Sequence, residues 1–267
     1  KFSDQAVELL AEVRSFMDDF VYPNEERFEH EAHELGHAAD PPLLEELKDK
    51  ARERGLWNLF LPHLRDDEPG TKLSNLDYAP ISEELGKVMF ASELLNCNAP
   101  DTGNMEILHL YASDTVRRDW LQPLLHGEIR SAFSMTEPDV ASSDATNIGL
   151  RIERRGDRYV LNGTKWFSSN SMRARCKVLI VMGKTDPSAP KHLQQSMVVV
   201  PIDTPGVTIG RQPHVFGYDH PGGHPEVHYD NVEVPVDNLL GEEGGGFAIA
   251  QARLGPGRIH HCMRAIG

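Results

Sequence analysis

The stretch Met135–Asn147, MTEPDVASSDATN, lies where the character of the chain changes, and its composition fits neither a helix nor a core strand. Pro138 favours an extended backbone at Glu137, which suits a loop. The serines, Asp144 and Thr146 supply oxygens that can cap exposed backbone N–H groups. Such a loop can hold a pyrophosphate through amides and hydroxyls with little net positive charge. Taken alone, however, the stretch is better explained as a polar loop that caps a turn.

Before this loop, from residue 3 to about 127, apolar residues recur at the three- and four-residue spacing of amphipathic helices. One of these helices is predicted to begin with Asp40 as its N-cap and to stop at Gly55. Further helices are predicted at residues 75–86, 101–111 and 114–126, the last of them bent or shortened by Pro123. Residues 1–127 are therefore assigned to an N-terminal all-α domain.

After residue 128, short β-type segments alternate with turn dipeptides. Gly156-Asp157 and Asn162-Gly163 are both compatible with hairpin turns, and Asn-Gly suits the two positive φ angles of a type I′ turn. Residues 128–238 are therefore predicted to form a middle antiparallel β-sandwich or barrel domain.

Helical character resumes within residues 239–267, which are assigned to the start of a C-terminal helical domain. The fold class is thus α+β with several domains. Because the chain stops inside this helix with nothing evident for it to pack on, we expect the sequence to be the front part of a longer protein.

The bulk composition limits the possible functions. The 267 residues are 39% hydrophobic, and they carry a formal net charge of −14, which argues against a general nucleic-acid binder. No apolar run is long enough for a membrane span, and the first residues lack the pattern of a secretory signal. Three cysteines far apart make a disulfide framework improbable and favour a reducing compartment.

Five ordered blocks of the sequence are distinctive. They are SAFSMTEPDVASSDATN (131–147), YVLNGTKWFSSN (159–170), DTPGVTIGR (203–211), PGGHPEVHYDNVEVP (221–235) and RLGPGRIHHCMRAIG (253–267). Together they resemble the acyl-CoA dehydrogenase family, most closely the subgroup whose mammalian members are fused to a kinase-like domain. The resemblance spans essentially the whole chain. It implies an N-terminal helical domain, a middle β-domain and a C-terminal four-helix bundle.

The resemblance implies FAD as the cofactor. The positions that would contact it are Phe133, Met135, Thr136, Ser142, Ser143, Phe167, Ser168 and Ser169. Phe167 stands where the family usually has a flavin-stacking Trp, and it keeps a stacking face. Ser169 stands where the family has a Thr whose hydroxyl meets the flavin N5. One extra residue after the TEP tripeptide favours Ser143 over Ser142 for the pyrophosphate and the CoA arm. Trp166 is interpreted as packing within the β-domain.

For the substrate, the resemblance implies contacts from Ser143 and from Gly255, Pro256, Gly257 and Arg258. Arg258 matches a helical Arg that lies near CoA in the family, whereas Gly255 replaces an acidic residue. Gly257 stands where some members carry the catalytic Glu. We therefore name no catalytic residue here and expect the base beyond Gly267. The carboxylates of Glu137 and Asp139 are not chosen for that role.

The helix at 101–111 leaves two interpretations open. By resemblance, Asn104, Met105 and Leu108 lie on a helix that lines the acyl chain, but ordinary core packing explains the two apolar residues equally well. Asn104 could bond a flavin edge, a polar substituent of the substrate or a helix terminus.

The histidines also allow two interpretations. A metal site is improbable because no His-Glu-x-x-His helix or Cys pair accompanies them. They are either solvated loop residues, or His220, His224, His260 and His261 form a mildly basic wall near the acyl group or the CoA phosphates.

The activity implied by the resemblance is FAD-dependent α,β-dehydrogenation of an acyl-CoA thioester to a trans-2-enoyl-CoA. The implied electron acceptor is an electron-transferring flavoprotein, and the implied assembly is a homodimer or homotetramer. Two alternatives remain: an acyl-CoA oxidase on the same fold, and an inactive scaffold that binds flavin or CoA. The expected compartment is the cytoplasm of a bacterium, or a mitochondrion or peroxisome in a eukaryote.

Overall fold

The computed structural model describes residues 1–214, 217 and 221–267. These residues form helices α1 Asp4–Phe16, α2 Glu25–Leu35, α3 Pro42–Glu53, α4 Asn75–Leu85, α5 Ala91–Leu94, α6 Asp101–Tyr111, α7 Asp114–Val116, α8 Gln122–Leu125 and α9 Gly246–Ile266. They also form strands β1 Arg130–Ser134, β2 Arg151–Arg155, β3 Arg158–Lys165, β4 Cys176–Lys184, β5 Gln195–Pro201, β6 Val207–Ile209 and β7 Val227–Pro235. None of the helices formed by these residues combines the length and apolar character that crossing a membrane requires.

The ends of α3 confirm one sequence prediction and contradict another. Gly55 follows the last turn with φ +71°, the left-handed conformation that ends helices. The N-cap prediction for Asp40 is wrong, because α3 begins at Pro42 and Pro41 precedes it without a side-chain cap. Asp40 instead lies 2.9 Å from Arg173 Nε, far along the chain. A partner distant in sequence has outcompeted the local cap.

The helix predicted over 114–126 starts as expected but is not continuous. The Ser113 hydroxyl accepts a hydrogen bond from Val116 N, which is the predicted start. Residues Arg117–Leu121 then form a π-helical turn before α8. Since Pro123 has no N–H to donate, the regular ladder is interrupted here, as the predicted bend requires.

The strands form one seven-stranded sheet in the order β1-β4-β2-β3-β7-β6, with β5 paired to β4. Most pairs are antiparallel as predicted, but β1 runs parallel to β4. Gly156-Asp157 joins β2 to β3 and is the predicted hairpin turn. The other hairpin-compatible dipeptide, Asn162-Gly163, forms no turn, because both residues lie inside β3. Gly163 is needed there because an added Cβ would lie 3.0 Å from the Leu150 side chain.

Strands β4 and β5 are buried on both faces of the sheet. On β4, Val178, Ile180 and Met182 pack into the core that the N-terminal helices form. The alternating residues Leu179 and Val181 pack into a second core on the opposite face. The two-residue period of the strand therefore joins the sheet to the helices.

Helix α9 packs across the N-terminal helices α4 and α6. An added Cβ at Gly86 would lie 2.2 Å from the Arg264 backbone oxygen, so the two helices approach closely at a glycine. The Ser82 hydroxyl donates to the His260 carbonyl at 3.2 Å. The expectation that this helix has nothing to pack on is therefore wrong.

Six charged residues join the helices to the sheet, five of them buried and Asp40 half-buried, and we call them the interdomain ion network. They are Asp40, Lys48, Glu93, Asp101, Arg130 and Arg173. Glu93 Oε1 lies 3.0 Å from Arg130 Nη1, 2.9 Å from Arg173 Nη1 and 3.4 Å from Lys48 Nζ. Asp101 Oδ2 lies 2.6 Å from Arg130 Nε. The network contains equal numbers of opposite charges.

Glu93 is the centre of this network. Burial alone would raise the pKa of its carboxyl, but attraction to Arg130, Arg173 and Lys48 outweighs burial and holds the pKa well below its usual range. Glu93 is therefore charged at physiological pH.

Replacing Glu93 should destabilise the protein strongly. In Glu93→Gln, three buried cations lose their shared anion, and we expect the free energy of unfolding to fall by about 3–5 kcal/mol. Urea unfolding followed by circular dichroism measures the change. The control is Glu46→Gln, which breaks the exposed pair of Glu46 with Arg27 and should cost less than about 1 kcal/mol. A similarly small fall in the free energy of unfolding in both variants would contradict a large contribution of the network to stability.

Candidate functional site

Two segments predicted to contact a cofactor meet at the end of β1 and the end of β3. Trp166 N donates to the Thr136 carbonyl at 3.0 Å, and the Thr136 hydroxyl donates to the Trp166 carbonyl at 3.0 Å. These reciprocal bonds hold Met135 and Thr136 beside the loop that contains Phe167. The structure therefore brings the two predicted cofactor segments together.

Phe167 is an exposed aromatic residue in a strained conformation. It has φ +50°, which is unfavourable for a bulky residue, and 39% of its surface is exposed. The half-buried Trp166 ring lies edge-on to it, with centroids 5.0 Å apart. Strain of this kind persists where the surrounding structure imposes it, and it is concentrated at binding sites.

The two serines after Phe167 face different surroundings. Ser168 is fully buried and its hydroxyl lies 2.9 Å from the Ser134 hydroxyl, which also accepts from Tyr229 at 2.9 Å. This geometry gives no support to the predicted cofactor contact of Ser168. The Ser169 hydroxyl is half-buried and lies 2.7 Å from His224 Nδ1.

Glu137 organises the loop that follows β1. Its carboxylate accepts from Gly149 N, Leu150 N and Lys165 Nζ, each at 2.8 Å. Lys165 also donates to the Met135 carbonyl at 2.7 Å. Burial lowers the Lys165 pKa to about 8, although Glu137 opposes that shift. Both oxygens of the Glu137 carboxylate thus accept hydrogen bonds that hold the loop, which agrees with the decision not to choose Glu137 as the base.

The two neighbouring serines of this loop, Ser142 and Ser143, differ in burial. The buried Ser142 hydroxyl accepts from Glu137 N at 2.9 Å and lies 3.2 Å from the Glu137 carbonyl. Ser143 is exposed. The preference for Ser143 over Ser142 as a ligand contact therefore agrees with the geometry, while the contact itself stays a prediction.

A cavity of about 390 Å³ opens beside Ser169. It lies between the loop after β3, the segment before α6, the segment before β7, and α9. Its lining residues are Met89, Asn98, Ala99, Pro100, Ser169, Asn170, Pro221, Gly223, His224, Arg253 and His261. This lining combines apolar side chains with amides, imidazoles and one guanidinium.

The arginine that α9 places in this cavity is Arg253, which sequence reasoning missed. Its Nε donates to Asn104 Oδ1 at 3.0 Å, and its guanidinium lies 3.8 Å from the centroid of the Phe133 ring. Arg258 is exposed and lies 3.5 Å from Gln251. The signal was available, because Arg253 follows the buried residues Gly246, Ile249 and Ala250 at helical spacing, whereas Arg258 does not.

The predicted substrate contacts Gly255, Pro256 and Gly257 lie half-buried on α9. No atom lies within 4 Å of a Cβ added at either glycine. This turn of the helix therefore leaves open space beside it, and the CoA contacts predicted for it remain predictions.

Helix α6 supports the site from behind. Met105 and Leu108 are fully buried in the helical core, which confirms the packing interpretation. Asn104 is also fully buried, and its side chain bonds other elements and not a helix terminus, while the two ligand contacts considered for it stay predictions. Its amide donates to the Ser131 hydroxyl at 2.8 Å and accepts from Arg253. It links α6, β1 and α9.

The structure separates the histidines of the hypothesised basic wall. His260 is buried edge-on to Tyr78, and its Nε2 lies 3.3 Å from Asn75 Oδ1. Burial lowers its pKa to about 4, so it is neutral and its place in the wall is wrong. His224 and His261 line the cavity, whereas His220 lies outside the described residues. Within the described part of the chain, no group of three metal-ligating side chains occurs.

Comparison with known families matches residues 3–128 to the N-terminal domain of acyl-CoA dehydrogenases and residues 132–232 to the middle domain. The chain is 57% identical to FadE2 of Mycobacterium tuberculosis, named as an acyl-CoA dehydrogenase, over 99% of this chain and 64% of that protein. It is 54% identical to acyl-CoA dehydrogenase family member 11 of Gallus gallus, over 99% of this chain and 34% of that protein. The chain thus spans less than two thirds of these relatives.

Solved structures agree with these matches. A structure from Mycobacterium abscessus, described as an acyl-CoA dehydrogenase, has a TM-score of 0.92 at 51% identity, covering 99% of this chain and 67% of that one. Butyryl-CoA dehydrogenase from Megasphaera elsdenii has a TM-score of 0.77 at 25% identity, covering 99% of this chain and 66% of that one. The fold class and the resemblance inferred from the sequence blocks are confirmed.

Loss of the Glu137 charge should loosen the loop after β1. In Glu137→Gln, the amides of Gly149 and Leu150 lose a charged acceptor, and we expect their hydrogen exchange to accelerate by roughly tenfold or more. Exchange measured by mass spectrometry on peptides covering 137–150 detects this change. Asp139→Asn removes an exposed carboxylate from the same loop and serves as the control. Equal exchange in the two variants would contradict the structural role of Glu137.

The buried His260 should make stability depend on pH. Its pKa is about 4 when folded and roughly 6.5 when unfolded, so the unfolded chain binds the proton first as the pH falls. Between pH 7 and pH 5 we expect about 2 kcal/mol of stability to be lost through this residue. Urea unfolding of His260→Gln should show a correspondingly smaller loss than the parent. His63→Gln, at an exposed position, should keep the parent's loss, and an unchanged loss in His260→Gln would refute this prediction.

Proposed function

Because the chain belongs to the acyl-CoA dehydrogenase family, we propose that the whole protein catalyses FAD-dependent α,β-dehydrogenation of an acyl-CoA thioester to a trans-2-enoyl-CoA. The observation that best supports this reaction is the strained, exposed Phe167, two residues before the Ser169 that lines the cavity. An aromatic face, a hydroxyl and a partly apolar cavity are thereby placed side by side.

The residues at the end of β1 and after β3 fit a flavin. An isoalloxazine is a flat aromatic system with a polar edge, which an aromatic face and hydrogen-bonding groups suit. Phe167 would stack on its ring, Ser169 would meet N5, and Met135 and Thr136 would lie at its polar edge. Phe133 would support the site through its contact with Arg253. When bound, the flavin would accept a hydride from the β-carbon of the substrate.

The cavity beside Ser169 is the proposed site of the acyl group. Met89, Ala99, Pro100 and Pro221 supply its apolar surface. Ser143 and the open turn of α9 from Gly255 to Arg258 are proposed to contact the CoA portion. The cavity would hold the chain so that its reacting carbons lie near Ser169, which is the positioning that such a transfer needs.

No carboxylate lines the cavity among the described residues. Glu93 and Asp101 are held by the interdomain ion network, and Glu137 is held by the loop. We therefore propose that the base that removes the α-proton lies outside residues 1–267. An electron-transferring flavoprotein as acceptor, assembly as a homodimer or homotetramer, and the compartment remain predictions.

The direct experiment adds a series of acyl-CoA thioesters of increasing chain length to the full-length protein under anaerobic conditions. Bleaching of the oxidised flavin absorbance with at least one thioester, together with formation of the enoyl product, is the expected result. A protein that binds FAD but bleaches with no thioester would contradict the proposed reaction. Rapid reoxidation of the bleached protein by oxygen would indicate the oxidase alternative.

Phe167 should contribute to FAD affinity. Since stacked aromatic pairs contribute about 0.5–1.5 kcal/mol, Phe167→Ala should raise the dissociation constant of FAD by roughly 2- to 12-fold. Fluorescence titration of the deflavinated protein measures this constant. Phe2→Ala removes an aromatic residue that is 42% exposed at the other end of the chain and should leave the constant unchanged. An unaffected constant in Phe167→Ala would exclude the stacking role.

A further inference from the structure

Among the described residues, the Ser169 hydroxyl forms one hydrogen bond to a side chain, the imidazole of His224. We propose that His224 is a positioning residue, which sets through its Nδ1 atom whether Ser169 donates or accepts a hydrogen bond on the side of the cavity. This inference rests on the proposed function, since it assumes that the hydroxyl meets the flavin N5.

The contact between the two residues is short and well placed. Ser169 Oγ lies 2.7 Å from His224 Nδ1, within the range of a good hydrogen bond. Ser169 N donates to the Phe167 carbonyl at 2.9 Å, which ties the hydroxyl to the strained turn. Both Ser169 and His224 line the cavity.

A backbone frame holds His224 in this place. Ser168 N donates to the Pro225 carbonyl at 3.2 Å, and Asn170 N donates to the Gly223 carbonyl at 3.2 Å. These bonds lie on either side of the contact between Ser169 and His224. The segment before β7 therefore runs alongside the loop after β3 in a defined register.

Glycines allow the two segments to come this close. Gly223 has φ +57°, and an added Cβ there would lie 2.6 Å from both Gln212 Oε1 and Met172 Sδ. The same Gln212 oxygen accepts from His224 N at 2.5 Å. The positive φ at position 223 favours glycine, and this turn leads directly into His224.

The protonation of His224 Nδ1 decides whether the Ser169 hydroxyl donates or accepts the hydrogen bond between them. A serine hydroxyl has one proton to donate and lone pairs with which to accept, whereas Nδ1 either carries a proton or accepts one. If Nδ1 is bare, Ser169 donates to it and presents only lone pairs to the cavity. If Nδ1 carries a proton, Ser169 accepts from it and its own proton is free to point into the cavity.

Both arrangements are useful in the proposed reaction. Ser169 has to donate while the flavin N5 is a bare acceptor, and it has to accept once N5 carries hydrogen. Loss of the Nδ1 proton of His224 to solvent, as N5 gains hydrogen, lets Ser169 donate to Nδ1 and accept from N5. His224 would thus act through Ser169 and not on the substrate.

Charged and titratable groups from several elements surround the pair. Arg253 and His261 from α9 line the same cavity, and Asn98 and Asn170 contribute neutral amides. The nearby carboxylate of Glu226 is paired with Arg211, 2.9 Å away.

The first test measures the midpoint potential of FAD bound to the full-length protein from roughly pH 5.5 to 8.5, where imidazoles titrate. The expected result is a change of slope in the parent that is lost in both His224→Asn and Ser169→Ala. His261→Asn, which alters a cavity imidazole that does not touch Ser169, should keep it. A slope change that survives in Ser169→Ala would mean that His224 acts by charge alone, and it would overturn the proposal.

The second test needs no flavin. Solid-state NMR of protein labelled with ¹⁵N-histidine reports the tautomer of His224, identified by comparison with His224→Asn. Ser169→Ala should shift the tautomer balance of His224 in the flavin-free protein, because the partner of Nδ1 is lost. An unchanged spectrum would overturn the proposal. A protein that passes both tests but is reduced by no acyl-CoA would refute the proposed function and leave the His224–Ser169 coupling standing.

Discussion

The balanced set of buried charges between the helices and the sheet is the constraint on which the site depends. Burying charges is unfavourable unless partners of opposite sign are held at close range. Glu93 therefore requires Arg130 from β1 and Arg173 from the loop after β3 at defined distances. Arg130 lies three residues before Phe133 on β1, and Arg173 lies four residues after Ser169. The network thus places both proposed flavin-contact segments against the same helices.

A second set of contacts extends from the network to α9. Asp101 accepts from Ser131 N at 2.7 Å, and the Ser131 hydroxyl accepts from Asn104. Asn104 in turn accepts from Arg253, which covers Phe133. Elements separated by more than a hundred residues thereby meet around one cavity. Buried side-chain hydrogen bonds of this kind restrain the elements that they join, which is what a site requiring precise placement needs.

Local patterns in the sequence predicted the features that depend on neighbouring residues. The alternation of elements, the end of α3 at Gly55 and the hairpin at Gly156-Asp157 follow from spacing and turn chemistry. The ordered sequence blocks identified the family. Local patterns were insufficient where a distant partner decided the outcome. Asp40 pairs with Arg173 instead of capping α3, and Gly163, in a dipeptide compatible with a turn, makes room for Leu150 inside a strand. His260 is neutral because α4 buries it, which no local signal reveals.

The proposed account places a flavin between Phe167 and the cavity, with the acyl chain beside Ser169. A crystal structure of the full-length protein with FAD and an acyl-CoA bound tests this claim most directly. The account predicts the isoalloxazine stacked on Phe167, its N5 within hydrogen-bond distance of Ser169 Oγ, and the acyl chain in the cavity lined by Arg253. A flavin bound away from Phe167, or an acyl chain outside that cavity, would contradict it.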